Sequence, residues 1–145
     1  MTAEEYPIFW NGPHEFPMLR RPSQLDKLIG VYMWTVLGLS GYVCSGCGIT
    51  ERSVRKRMLE HRRGYLRGAY TMLDINEMRK GIRKEIWHGM WAGFDSPERK
   101  AEFPDRKDEL QAVAQQQMDS LQIFMVREQD KRIKERIEAA VVSRI

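Results

Sequence analysis

Apolar and polar positions are segregated along this chain. Residues 28–50 (LIGVYMWTVLGLSGYVCSGCGIT) hold no Asp, Glu, Lys, Arg or His, and beyond Thr50 charges recur every few residues to the end. An uncharged block joined to a charge-dense one reads as two environments rather than one mixed core. As a helix the 23 residues of this block reach roughly 34 Å, against about 30 Å for the hydrocarbon core of a bilayer. The predicted element is a transmembrane helix over 28–50, flanked by Lys27 on one side and Glu51 and Arg52 on the other. Tyr32, Trp34 and Tyr42 suit its interfaces. The competing reading is the central helix of a soluble bundle. It draws on the five glycines, the hydroxyl residues and the two cysteines of the run.

Elsewhere the pattern predicts an extended arm and two long helices. Pro7, Pro13, Pro17 and Pro22 recur too often in residues 1–27 for a helix, and Tyr6, Ile8, Phe9, Trp10 and Phe16 are interleaved with them. Over 51–92, Leu59, Leu66, Tyr70 and Leu73, then Met78, Ile82, Ile86 and Met90, recur at helical spacing. The pattern breaks over a linker at 93–104. There Ser96 is placed as an N-cap, Pro97 as the first helical residue and Glu98 as a first-turn acid. Pro104 puts the start of the last helix near Asp105. That helix, 105–145, carries a narrow apolar stripe through Leu110, Ala114, Met118, Leu121, Met125, Val126, Ile133, Ile137 and Val141, which suits packing on a partner. The fold class predicted is all-α: one N-terminal transmembrane helix followed by two long extramembrane amphipathic helices.

Composition alters this picture little. The 145 residues suit one ordinary domain, and 42% hydrophobic with 30% charged residues describes an average that hides the segregation. The net charge of +4 suits nucleic acid, anionic lipid or an acidic protein equally well. Glu4, Glu5 and Glu15 at the start argue against a cleavable presequence. Basic residues predominate after the apolar run, at Arg52, Arg55, Lys56, Arg57, Arg62, Arg63 and Arg67. By the positive-inside rule they place the C-terminal part on the cytoplasmic or matrix side, where they would meet an acidic partner or head groups such as cardiolipin.

Candidate chemistry is sparse. Within a helix over 28–50, Ser40, Cys44 and Gly48 share one face, with Gly41 and Ser45 beside them. In lipid such a face lets a neighbouring helix approach closely. Cys44-Ser45-Gly46-Cys47 is a C-x-x-C, but no βαβ pattern surrounds it, and a zinc site would need His61 and His88 or another chain to complete four ligands. Trp87 and Trp91, one turn apart on the second helix with His88 between them, read as a packing face. No nucleophile elbow, P-loop or H-E-x-x-H pattern is present. Neither catalytic, cofactor-binding nor metal-ligating residues are expected, and no cofactor.

In chain order, Arg20-Arg21, the uncharged run, Arg55-Lys56-Arg57, Tyr65, Met72-Leu73-Asp74 and Glu77-Met78-Arg79-Lys80 resemble the single-span accessory subunit at the peripheral–membrane junction of respiratory complex I. The likeness covers about residues 12–80. It implies a class: non-catalytic accessory subunits of mitochondrial inner-membrane respiratory-chain or ATP synthase complexes. On that reading the chain is a single-pass inner-membrane protein, its partners are other subunits of a large membrane complex, and nucleic acid is not among them. Two alternatives stay open: a basic helical ribosomal or nucleic-acid-associated protein, and a membrane-bound thiol protein using Cys44 and Cys47.

Overall fold

A computed structural model describes residues 5–16, 28–90 and 97–145. It replaces the all-α expectation with an α+β fold. The uncharged run is not a helix but a β-hairpin, β2 (Gly30–Gly38) and β3 (Gly41–Thr50), paired antiparallel from Gly30↔Thr50 to Gly38↔Gly41. The two residues between them, Leu39 and Ser40, form the turn, and Gly41 takes φ +127° to close it. The strand preference of Val, Ile, Tyr, Trp and Thr accounts for the outcome. So do the glycines, each of which costs a helix interior about 1 kcal/mol relative to alanine.

The run lacks charge because β2 is covered on both faces. Strand order is β1-β6-β2-β3, where β1 is Asn11–Glu15 and β6 is Leu121–Arg127. Val31, Tyr32, Thr35 and Val36 of β2 are all buried, although neighbouring residues point to opposite faces. A strand buried on both faces reads as a continuous apolar run, and with the half-buried, equally uncharged β3 beside it the hairpin matches the length of a membrane span. No helix among the described residues is long and apolar enough to cross a membrane. The single-pass inner-membrane placement, its matrix-side orientation and the mitochondrial respiratory-chain and electron-transport assignment therefore lose the element on which they stood.

The two long helices are also corrected. Over 51–92 the chain forms α1 (Val54–Leu66), β4 (Met72–Leu73), α2 (Ile75–Arg79) and β5 (Glu85–Trp87), with β4 and β5 making a second, two-stranded sheet. Ser53 caps α1 by accepting from Lys56 N, and Asp74 caps α2 by accepting from Glu77 N. Gly68 at φ +78° turns the chain after α1. Trp87 lies in β5, not on a helix, and donates Nε1–H to Gly68 O at 2.9 Å. Trp91 and Ser96 lie outside the described residues.

Past them, α3 (Pro97–Asp105) opens on Pro97 and carries Glu98 in its first turn, and α4 (Lys107–Ser120) follows. The chain then extends as β6 before α5 (Lys131–Val142), capped by Asp130. In β6, Leu121, Ile123 and Met125 are buried at alternate positions. Their period of two is hidden in sequence by the equally apolar Phe124 and Val126.

Three layers result. On one face of the sheet Tyr32, Val36, Leu121, Ile123 and Met125 pack with Val54, Met58 and Tyr65 of α1 and Leu110, Ala114 and Met118 of α4. On the other, Val31 and Val126 pack with Ile133 and Ile137 of α5, with Ile8 and Trp10 alongside.

Candidate functional site: an aromatic cavity at the edge of the hairpin

A cavity of about 760 Å³ opens between β3, the outermost strand, α1 and the β4–β5 segment. Trp34, Tyr65 and Tyr70 line it with Tyr32 and His61, and Arg57, Arg83, Glu85, His88 and Glu138 stand on its walls. β2 supplies Tyr32 and Trp34, α1 supplies Arg57, His61 and Tyr65, and the stretch after α1 supplies Tyr70. The rings interlock. Trp34 meets His61 edge-on at 4.7 Å between centroids and Tyr65 at 5.7 Å, while Tyr65 meets Tyr70 at 5.2 Å.

His61 organises this cluster. Tyr32 Oη lies 2.8 Å from its Nε2 and Tyr70 Oη 3.1 Å from its Nδ1. A neutral imidazole has one donor and one acceptor, and a hydroxyl serves as either, so both tautomers are fully satisfied. Two glycines make room for the flanking tyrosines. A Cβ on Gly48 would collide with Tyr32 Oη, and one on Gly64 would lie 2.5 Å from the Tyr70 ring. Beneath them Gln117 ties the floor together: its Oε1 accepts from Leu73 N at 2.9 Å and its Nε2 donates to Tyr65 Oη at 3.3 Å.

Burial is the main force on the ionisable groups. It lowers His61 from 6.5 to about 4, with the nearby Arg57 adding to the effect. It pushes the Tyr65 phenol up, and the Tyr32 phenol too, where the Arg57 guanidinium partly offsets it. The Cys47 thiol is pushed up to about 12 by burial and by the neighbouring Cys44. It therefore stays protonated at neutral pH and is a poor nucleophile.

The His61 shift has a measurable consequence. The unfolded chain takes up the imidazole proton near 6.5 and the folded chain only near 4, so the unfolded state binds more protons between those values. Stability should fall as pH drops through that window and level off below it, apart from the carboxylates. Urea midpoints of the wild type and His61→Gln should show the wild type's advantage shrinking as the pH is lowered. A difference that stays constant across the window would show that the fold does not hold His61 neutral.

The residues singled out from sequence are scattered by the hairpin. Ser40 sits in the turn, Gly41 opens β3, and Cys44, Ser45 and Gly48 lie along β3, so the helical stripe does not exist. Cys44 and Cys47 are free thiols opposite Thr35 and Met33, which share one face of β2. A bulge at Ser45 puts both cysteines on that face. Of the basic cluster only Arg57 lines the cavity; Arg52, Lys56, Arg63 and Arg67 are exposed, and Arg52 and Arg57 both pair with Glu60. Arg55 and Arg62 lie on α1 beside them. Among the described residues no group of three or more His, Cys, Asp or Glu could hold a metal ion. Sequence reasoning missed Tyr32, Trp34, His61, Tyr65, Tyr70 and Gln117 as a set. No motif joins them, and only the wide spacing of lone aromatics between strands and helices could have hinted at it.

Comparison with known proteins returns no significant match, whether to family models, to curated sequences or to solved structures.

Proposed function

We propose that this chain is a binding domain whose aromatic cavity receives a flat, largely uncharged group. The observation that carries the reading is the cavity's lining: interlocked Trp34, Tyr65 and Tyr70 rings around a space of about 760 Å³. Ligand sites typically occupy roughly 300–1,000 Å³ and combine aromatic walls with a few placed polar groups. Binding is favoured over catalysis because the obvious base and nucleophile are engaged or silenced. Both nitrogens of His61 face tyrosine hydroxyls, and the Cys47 thiol is held protonated.

Gly46 offers a clean test. It lines the cavity opposite Trp34, and a Cβ built there meets no atom within 4 Å. Gly46→Leu should therefore fill the cavity and leave the fold intact. In ligand-observed NMR against a set of uncharged aromatic fragments, hits on the parent chain should weaken at least about tenfold on the variant. Hits that bind both proteins equally, or no hit at all, would end this reading.

Membership of a larger assembly as a non-catalytic subunit is the second reading. Leu37, Leu39 and Tyr42 at the hairpin tip, with Leu39 81% exposed, favour it. The membrane setting of that expectation rested on a helix over 28–50 and is not carried with it.

A further inference from the structure

The cavity's shape narrows the class of ligand. Successive residues of a strand face opposite sides of the sheet, so a cavity on one face is lined by alternate residues. Here residues 45–49 of β3 all line it. Glu138, on α5 behind the sheet, lines it together with Arg57 and His61 of α1 in front. The space therefore runs along the outer edge of β3 and is reached from both faces.

That edge is open to pairing. Among the described residues β3 pairs only with β2, and from Gly41 to Thr50 it carries no charge and no proline. Edge strands ordinarily carry such residues to block another chain, and within β3 itself the bulge at Ser45 is the protective feature. The charges beside the edge are nearly balanced. Arg57 pairs with Glu60 at 3.0 Å, Arg83 with Glu85 at 3.2 Å, and Glu138 stands across the groove. Among the described residues such a groove has no spare cation for a phosphate or an acidic ligand, and it complements an uncharged segment.

Resting on the binding reading above, we infer that the occupant is an extended, uncharged polypeptide segment. It adds as a strand to the outer edge of β3 and seats one aromatic or branched side chain against Trp34 and Tyr70. Main-chain hydrogen bonds to β3 supply affinity and the aromatic cluster selects the side chain, as in other strand-addition complexes.

The test uses a displayed library of random dodecapeptides, selected on the full chain and counter-selected on Gly46→Leu. Retained peptides should be rich in β-branched and aromatic residues and poor in proline. Synthesised with N-methyl groups at alternate residues, they should weaken at least about tenfold in one register and little in the other, since only one set of amides faces β3. Amide exchange over residues 45–49 should slow on binding. Peptides indifferent to N-methylation in both registers overturn the strand-addition inference, as does a library that yields nothing selective for the parent. If aromatic fragments still bind in a Gly46-dependent way, the cavity reading survives that result. A chain that dimerises through β3 and retains no peptide also overturns it, with a second copy as occupant.

Discussion

Leu110→Ala should lower the unfolding free energy by about 2–5 kcal/mol, the usual cost of an aliphatic truncation in a core that cannot collapse. Leu110 is 0% exposed on α4 and packs in the cluster that joins α4 to α1 and the sheet. Met58, Ala114 and Met118 of the same cluster are themselves buried, so little can move into the space. Against a total of about 5–15 kcal/mol for a domain, the loss should be plain as a shifted urea midpoint with an unchanged slope. Val142→Ala, at a side chain 52% exposed on α5, is the control and should stay within about 0.5 kcal/mol. Similar shifts for both would mean that α4 does not pack as described.

The second large effect separates two glycines on one strand. Gly48→Ala should destabilise the chain by about 1–3 kcal/mol, because the new methyl collides with Tyr32. Tyr32 is 4% exposed and bound to His61 at 2.8 Å, so its ring cannot swing away without breaking the Tyr32–His61–Tyr70 arrangement. Gly46→Ala, two residues earlier, meets nothing within 4 Å. It should be neutral or stabilising by up to about 1 kcal/mol, through the reduced freedom of the unfolded chain. Thermal or urea unfolding of the pair reads the contrast. Equal effects would place the Tyr32 ring elsewhere than over β3.

These two glycines also mark where sequence reading stopped. In sequence, Gly46 and Gly48 are two small residues in an uncharged run, and of the two only Gly48 falls on the predicted packing face. Their different roles depend on Trp34 and Tyr32, which lie opposite them only in the β2–β3 register. The sequence of the run alone allows both a membrane helix and a hairpin whose first strand is covered on both faces. Lack of charge reports burial, not the kind of neighbour that provides it. The two glycines flanking Leu39 and Ser40, together with the β-branched and aromatic content, were the local signals for a turn between strands.

Other features were legible locally. The start of α3 at Pro97 rests on proline's fixed φ and missing N–H, which act without tertiary help, whereas Pro104, expected to end a linker at 93–104, lies inside α3, and α4 starts at Lys107 rather than near Asp105. Helical spacing at Leu110, Ala114 and Met118 was likewise real and became α4. The same spacing continued into Leu121 and Met125, where it was coincidental. Residues 121–127 became the strand between β1 and β2 because two sheet positions were available to them. Sequence by itself thus determined where α3 starts and that α4 presents one apolar face through Leu110, Ala114 and Met118. Only the tertiary structure decided what buries the hairpin, and only it brought Tyr32, Trp34, His61, Tyr65, Tyr70 and Gln117 together. Those residues come from three separate stretches of chain, and their meeting depends on strand pairing over long sequence separations that no local pattern encodes.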